Sequence, residues 1–294
     1  MFKSGYIAII GKPNVGKSLI LNKLLGEKVA IVSKKPETTR DKIQGILTKK
    51  EYQAVFIDTP GIHKPKLLLG QQMVRRAKET LFDADIILFV LDIKTGIDAE
   101  DKLILELVKD IKKPVILAIN KVDLARKERL LPVMEEAAKL HDFKEIIPTS
   151  AFSGDNMDVL LNKIVEILPE GPMFYPQDQL TDKSERFIAG EMIREKVLEF
   201  THEEVPHSVA VLVEEMKFRE GKDLFYIRAV VFVERDTQRA ILIGRGGSML
   251  KKIGEESRKE IENFLGKRVY LDLWIKVHKD WRKDEHALKM LGYI

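Results

Sequence analysis

Short apolar runs alternate with longer amphipathic segments along the first 168 residues. The apolar runs predict strands at 6–10, 45–49, 54–57, 85–91, 114–119 and 145–147. Helical periodicity predicts helices at 17–25, 99–111, 126–141 and 157–168. Strands separated by helices of this length imply βαβ units, hence an α/β domain with a mainly parallel sheet. The runs 45–49 and 54–57 are too close for a crossover, so we expect a hairpin with one antiparallel strand there.

A second pattern begins after residues 169–182, a polar stretch with several prolines and a glycine that we interpret as a linker. The expected order is then a helix, two long strands, an apolar turn with a glycine cluster, a helix, a strand and a terminal helix. These elements span 184–204, 208–216, 224–234, 241–247, 249–265, 268–277 and 282–294. The sequence therefore predicts an α/β domain at 1–168 and a smaller α+β domain at 183–294.

Composition excludes several classes of protein. The 294 residues are 45% hydrophobic and 33% charged, which is typical of a folded chain, and none is cysteine. Disulfides, thiolate metal sites and cysteine nucleophiles are therefore excluded. The longest apolar run, 86–91, is far too short to cross a bilayer, and no signal peptide is visible at the start. We therefore expect a soluble, cytoplasmic protein. The net charge of only +4 does not by itself indicate a nucleic-acid partner.

A phosphate-binding motif follows the first predicted strand. Gly11-Lys12-Pro13-Asn14-Val15-Gly16-Lys17-Ser18 satisfies G-x-x-x-x-G-K-[ST] and opens the first predicted helix, as a P-loop requires. Glycines let backbone N–H groups turn toward phosphates, and the helix N-terminus adds its positive end. Lys17 is expected to reach the β- and γ-phosphates, and the Ser18 hydroxyl to bind Mg²⁺.

Two further motifs end later strands of the same sheet. Asp58-Thr59-Pro60-Gly61 places a carboxylate where it can reach the metal through water and an N–H of Gly61 near a γ-phosphate. Asn120-Lys121-Val122-Asp123 places a carboxylate that can accept two hydrogen bonds from guanine, whereas adenine lacks that donor pair. We expect Asn120 to brace the loops and Lys121 to cover the base. Thr149-Ser150-Ala151 can supply a backbone N–H for the guanine oxygen.

These motifs, together with Thr38-Thr39-Arg40-Asp41, occur in the order of a Ras-like GTPase and resemble the bacterial branch containing the TrmE, Era and Der families. The resemblance implies that Thr39 closes on Mg²⁺ when a γ-phosphate is present, within switch segments at 34–50 and 62–76. It also implies that Asn14 helps hold K⁺ against the phosphates. Ile62 stands where Ras-type enzymes carry the glutamine that orients water, so slow intrinsic turnover is expected. The groups expected to assist hydrolysis are Lys17, Asn14, Thr39 and Gly61.

A second candidate site lies in the α+β domain. Gly244-Arg245-Gly246-Gly247 is a G-x-x-G loop before a predicted helix, with Ser248 as the expected cap and Lys251 and Lys252 close behind. Such a loop can bring its backbone against nucleic-acid phosphates. Residues 244–283 hold eleven basic and six acidic side chains, so the basicity is local.

The order of elements resembles a type II KH domain, and a KH domain after such a GTPase is the arrangement of the Era family. That resemblance implies GTP, GDP and Mg²⁺ as ligands, and single-stranded RNA as a partner. The RNA would be the 3′ end of small-subunit ribosomal RNA, bound during assembly of the 30S subunit. A peripheral fraction at the inner face of the cell membrane is also implied. Trp274 could stack on a base, but we expect it to fill a surface beside the tail, and Trp281 to be an anchor.

Two other functions compete with this interpretation. A P-loop metabolic kinase would need an acceptor pocket and a lid rather than a guanine-binding carboxylate, and ATP in place of GTP would decide. An RNA-binding module with a purely structural nucleotide would show no turnover, with or without RNA. A TrmE-type role in tRNA modification is disfavoured, because that chemistry uses a terminal cysteine and this chain has none.

Overall fold

The computed structural model of the chain describes residues 1–33, 35, 38–62 and 67–293. It divides into two compact units, one containing most described residues up to Asp182 and the other made mainly of the described residues from Lys183 onward. The predicted switch segments fall partly outside the described residues. No described helix has the length and apolar character needed to cross a membrane.

The first unit is an α/β layer structure around a six-stranded sheet ordered β2-β3-β1-β4-β5-β6. The strands are β1 (Lys3–Ile10), β2 (Ile43–Thr48), β3 (Tyr52–Asp58), β4 (Ile86–Asp92), β5 (Val115–Asn120) and β6 (Glu145–Pro148). The helices are α1 (Lys17–Leu25), α2 (Leu68–Asp83), α3 (Ala99–Lys109), α4 (Leu130–Leu140) and α5 (Met157–Ile167). Only the β2–β3 pair is antiparallel among the described strands of this sheet, which confirms the predicted hairpin.

The central strands of this sheet are buried and parallel, and their direction sets the position of the nucleotide motifs. Every residue of β4 and β5 is buried, as expected for parallel strands covered on both faces. Because β1, β3, β4 and β5 run parallel, their carboxyl ends meet at one edge of the sheet. The loops after these four strands therefore converge on one place.

The segment 169–182, interpreted as a linker from its sequence, lies along the strands of the first unit. The N–H of Ile46 donates to Leu180 O at 2.8 Å. Gln53 Oε1 accepts from the N–H groups of Phe174 and Tyr175, and the Phe174 ring stacks on Tyr6 with centroids 5.1 Å apart. The Ile46 bond satisfies a backbone group that the edge strand β2 would otherwise leave open.

The second unit is an α+β structure with a three-stranded sheet ordered β7-β8-β9. Its strands are β7 (Ala210–Arg219), β8 (Leu224–Val233) and β9 (Arg268–Val277), with β7–β8 antiparallel and β8–β9 parallel. Its helices are α6 (Glu185–Phe200), α7 (Val205–Ser208), α8 (Asp236–Ile243), α9 (Ser248–Leu265) and α10 (Glu285–Met290). The mixed sheet with helices between β8 and β9 is the expected type II KH order.

Two local expectations in this unit are wrong. The apolar tripeptide 241–243 is the last turn of α8, not a turn by itself. The sequence pattern for helix α8 is weak, because its first half is polar and only Leu242 of the tripeptide is fully buried. Ser248 is the first residue of α9 rather than its cap, a position that Gly247 occupies without a side-chain hydrogen bond.

The tail contains a shorter helix than its sequence predicts. A 3-10 turn over Trp281–Lys283 precedes α10. Trp281 is the expected anchor: it is fully buried, donates from Nε1 to Ser208 O at 2.8 Å and stacks on Tyr293. Trp274 is 55% exposed, so it is only partly covered by neighbouring residues.

Candidate nucleotide site and nucleic-acid interface

The P-loop forms a tight connection between β1 and α1. Gly16 has φ +103°, and a Cβ there would lie 2.3 Å from Asn120 Nδ2, so only glycine fits. Asn120 in turn donates from Nδ2 to Val15 O at 2.8 Å and accepts from the N–H of Ala151 at 3.0 Å. Asn120 therefore braces two loops, as its position in the motif predicted.

Lys17 is buried in the P-loop it belongs to. Its Nζ donates to Gly11 O at 3.1 Å and to Lys12 O at 2.8 Å. Burial lowers the pKa of Lys17 to about 8, although the nearby Asp58 carboxylate raises it. An ammonium group buried in this position can bind an anionic phosphate oxygen.

The three residues predicted to serve the metal come together in space. Ser18 Oγ donates to Asp58 Oδ2 at 2.6 Å and lies 2.8 Å from Thr39 Oγ1, which is 3.2 Å from the same carboxylate oxygen. Asp58 Oδ1 is buried without a hydrogen-bond partner, and burial raises the pKa of this carboxyl. Two hydroxyls and a carboxylate are the hard oxygen donors that Mg²⁺ prefers, so the residues fit this ion. Among the described residues no group of three or more His, Cys, Asp or Glu side chains offers another metal site.

The guanine-motif loop after β5 is held by three side-chain hydrogen bonds. Ser150 Oγ donates to Asp123 Oδ1 at 2.5 Å, which positions the carboxylate. Lys121 Nζ donates to Asn14 O at 2.6 Å and to Asp92 Oδ2 at 2.7 Å, which ties this loop to the P-loop. The role of Asp92 was not predicted. Its signal is present in the sequence, because it ends β4 as Asp58 ends β3.

The loop after β3 contacts the P-loop mainly through its backbone and buried side chains. Thr59 Oγ1 donates to Ile9 O at 2.8 Å, and the N–H of Ile62 donates to Gly11 O at 3.3 Å. The Ile62 side chain belongs to the hydrophobic cluster and is only 6% exposed. A Cβ on Gly61 would lie 2.6 Å from the backbone nitrogen of Pro13. Ile62 therefore contributes packing and no polar group to the site.

A buried ion pair of the P-loop was missed at the sequence level. Lys12 Nζ lies 2.5 Å from Asp98 Oδ2 and 2.7 Å from Asp101 Oδ2. Asp98 also caps α3 by accepting from the N–H groups of Glu100 and Asp101. Burial raises the pKa of Asp101 to about 6 despite the ammonium group beside it. The first variable residue of the P-loop is thus fixed to the N-terminus of α3.

The two predicted switch segments also meet through one described contact. Arg76 Nη1 of α2 lies 2.5 Å from Asp41 Oδ1, and both side chains are largely buried. The contact joins the residue two after Thr39 to the helix that follows the Asp58 loop.

In the second unit the G-x-x-G residues form an open turn between α8 and α9. Gly246 has φ +57°, and a Cβ built on it meets nothing within 4 Å. A groove of about 390 Å³ begins at this turn and runs between α9 and β9. Its lining residues are Gly247, Leu250, Lys251, Gly254, Glu255, Arg258, Leu271 and Leu273. The groove offers the backbone of the turn at one end, together with aliphatic side chains and cations along its length. This combination suits a single-stranded polynucleotide.

The cations predicted for this site differ in their surroundings. Arg245 and Lys251 are exposed, and Lys251 lines the groove. Lys252 is turned away, with Nζ 4.0 Å from the centroid of the Phe200 ring. Arg258, one helical turn beyond the groove's Gly254, was not predicted and lies on the groove wall.

Comparisons with known proteins agree with both sites. Residues 6–121 match the family described as 50S ribosome-binding GTPase, and residues 204–282 match the KH domain family. The GTPase Era of Alkaliphilus oremlandii (strain OhILAs) is 50% identical over 292 residues, which cover 99% of each chain.

Two solved structures resemble the whole chain. Era in complex with MgGDPNP and nucleotides 1506–1542 of 16S ribosomal RNA is 43% identical and matches with a TM-score of 0.97 over 100% of this chain and 99% of that one. A single-residue variant of Aquifex aeolicus Era bound to GDP·AlF4⁻ is 43% identical and matches with a TM-score of 0.96 over 99% of each. A P-loop edge with a guanine motif, a KH unit with an open G-x-x-G turn and this full-length similarity together show that the chain belongs to the Era family of GTPases.

Proposed function

We propose that this GTPase uses GTP and GDP, with Mg²⁺, to control how its KH unit binds the 3′ end of small-subunit ribosomal RNA. One observation carries the proposal: the same chain holds a preformed hydroxyl–carboxylate cluster beside a P-loop and an open G-x-x-G groove. The solved relative that matches over the full length holds a Mg²⁺-bound GTP analogue and 16S ribosomal RNA together, which supports both halves.

Phosphates would be held by the P-loop and by Lys17, whose carbonyl partners are exchanged for phosphate oxygens. Ser18 and Thr39 would hold Mg²⁺ directly, and Asp58 would act through water. When bound, Mg²⁺ neutralises charge that develops on the phosphate oxygens. Asp123, positioned by Ser150, would select guanine through its carboxylate.

Hydrolysis in this site must proceed without a glutamine side chain, since Ile62 is packed in the hydrophobic cluster. The N–H of Gly61 and the side chain of Thr39 would contact the γ-phosphate. Asn14 lies exposed on the P-loop with φ +64°, a position from which its side chain can help hold a cation such as K⁺ against the phosphates. Because few groups would assist the reaction, we expect slow intrinsic GTP hydrolysis.

RNA would be held by the open turn and the groove behind it. Backbone phosphates would approach the residues from Gly244 to Gly247 and the N-terminus of α9, while Arg245 and Lys251 supply charge. Lys252 would contribute less, because its ammonium group lies over Phe200.

The test of the RNA half is Gly246→Asp. A side chain at this open position fills the space a phosphate needs, and its charge repels the phosphate. Gly266→Asp is a matched control in the same unit, because Gly266, after the last residue of α9, has φ +62° and also meets nothing within 4 Å. RNA affinity measured across a salt series should fall at least about tenfold in Gly246→Asp and stay unchanged in the control.

Outcomes separate the two halves of the proposal. GTP hydrolysis without RNA should be the same in parent, variant and control, since the loop belongs to the other unit. Any change in hydrolysis that RNA causes in the parent should be reduced in Gly246→Asp, because coupling in binding free energy is reciprocal. Full RNA affinity in Gly246→Asp would show that the G-x-x-G segment is only a turn.

The remaining parts of the proposal concern location. We infer that the protein works in the cytoplasm, on the 30S subunit, because its RNA partner would be found there. The peripheral contact with the inner face of the cell membrane rests on the family resemblance alone and stays a prediction. Co-sedimentation of the full chain with anionic liposomes tests it, and absence of the protein from the pellet would contradict it.

A further inference from the structure

The KH sheet has a second face that the groove does not use. On β9 the side chains of Leu271 and Leu273 face the groove, so Tyr270 and Trp274 lie on the opposite face. Tyr270 is 60% exposed and Trp274 is 55% exposed. We call this opposite face of β7, β8 and β9 the outer face.

The two exposed rings are held by contacts with neighbouring side chains of the sheet. Trp274 donates from Nε1 to Asp272 Oδ1 at 2.8 Å, and Tyr226 OH donates to Asp272 Oδ2 at 2.9 Å. The Tyr226 ring stacks on Tyr270 with centroids 5.9 Å apart, and the Arg219 guanidinium lies 4.4 Å from the Tyr226 centroid. The rings are therefore ordered before any ligand arrives, which lowers the entropy cost of binding.

The charge of the outer face favours an anionic ligand. Its basic side chains, all exposed, are Lys217, Arg219, Arg228, Arg268 and Lys276. Its acidic side chains are Glu214, Glu215 and Asp272, which pair with Lys276, Lys217 and Arg228 respectively. The Glu214–Lys276 and Glu215–Lys217 pairs lie at the surface and contribute little to stability, so phosphate groups can replace these two carboxylates at small cost.

The spacing of the rings suits a polynucleotide. Tyr270 and Trp274 are four residues apart on one face of β9, about 13 Å, so bases two nucleotides apart in an extended single strand can reach both rings. Sheets that bind RNA in this way present aromatic rings on which two or three bases stack.

The outer face is also continuous with the groove. β9 is the edge strand of the sheet order β7-β8-β9, and its two rows of side chains line the groove on one side and the outer face on the other. A strand of RNA that leaves the groove at this edge can therefore pass directly onto Tyr270 or Trp274.

We propose that the outer face of the KH sheet is a second contact surface for single-stranded RNA, on which Trp274 and Tyr270 stack bases that extend beyond the groove. The inference rests on the proposed RNA-binding function. It assigns a site to bases that lie beyond the groove, which RNA binding at the G-x-x-G turn leaves without one.

The test uses the full chain and two lengths of RNA from the 3′ end of 16S ribosomal RNA. The short RNA is the smallest window that the parent binds, about five nucleotides, and the long RNAs add about seven nucleotides on the 5′ or the 3′ side. Trp274→Ala and Tyr270→Ala should each weaken binding of one of the long RNAs about tenfold and leave the short RNA unchanged. Trp274→Phe should restore the affinity, because a phenyl ring still stacks.

Fluorescence gives a second measurement. The chain has two tryptophans, of which Trp281 is fully buried, so quenching by RNA reports on Trp274. The long RNA should quench the parent, the short RNA should not, and Trp274→Phe should lose the quenching while keeping affinity.

Each alternative outcome has a distinct meaning. If both alanine variants bind every long RNA as tightly as the parent does, the proposal is wrong, although the groove assignment stands. If the parent binds neither length, the proposed RNA function fails as well. If the parent is a dimer by light scattering and Tyr270→Ala is a monomer with unchanged RNA affinity, the outer face serves self-association and the proposal is overturned.

Discussion

Asp123→Asn tests the guanine assignment with little change in shape. In the parent, Ser150 Oγ donates to Asp123 Oδ1 at 2.5 Å, and an asparagine oxygen can accept the same bond. The loop should therefore keep its position. What changes is the edge facing the base, which now presents one acceptor and one donor in place of two acceptors.

The size of the effect follows from the hydrogen bonds lost. Each of the two bonds from guanine to the carboxylate is worth about 1.5–3 kcal/mol; in the variant one is lost, and the other becomes a neutral bond of about 1 kcal/mol. Because Asp123 is exposed before nucleotide binds, we take the lower end of the range, a loss of about 2 kcal/mol, or about 30-fold in GTP affinity. Xanthine has a carbonyl where guanine has its exocyclic amine, so affinity for XTP should rise by a similar factor.

Competition titration of a fluorescent guanine nucleotide with GTP, XTP and ATP measures these affinities. Ser150→Ala is the matched control: it removes one hydrogen bond to the same carboxylate and should cost about 1 kcal/mol without changing the preference for guanine. Unchanged GTP affinity in Asp123→Asn, with none gained for XTP, would show that this carboxylate does not contact the base.

Three further outcomes are expected. Lys17→Ala should weaken GDP binding at least about 10²-fold while RNA binding persists, since a buried ammonium group is lost; near-parental affinity in a nucleotide titration would contradict the P-loop assignment. GTP hydrolysis should be faster in K⁺ than in Na⁺ at equal ionic strength, and Asn14→Ala should remove the difference; equal parental rates in both salts would reject a role for K⁺. Asp101→Ala should lower the free energy of unfolding by about 2 kcal/mol, because Lys12 stays buried with only a half-exposed carboxylate as partner. Glu106→Ala on the same helix breaks an exposed pair and should change it by less than about 0.5 kcal/mol, both measured by urea unfolding.

The chemistry of the nucleotide edge could be predicted from the sequence alone. Strand ends of a parallel sheet converge, so Ser18, Asp58 and Asn120 could be assigned to one place from the order of strands and motifs alone. The need for glycine at Gly16 and in the G-x-x-G turn could also be predicted from the sequence, because the positive φ angles there depend on a few neighbouring residues.

Which side chains pair and which stay exposed depends on how distant segments pack. Lys12 meets Asp98 and Asp101 across more than eighty residues of chain, and no periodicity connects those positions. Trp274 and Trp281 are both aromatic residues near a strand end, yet one is 55% exposed and the other fully buried. Pairing and exposure are properties of packing between distant segments, whereas motif chemistry is set by neighbours along the chain.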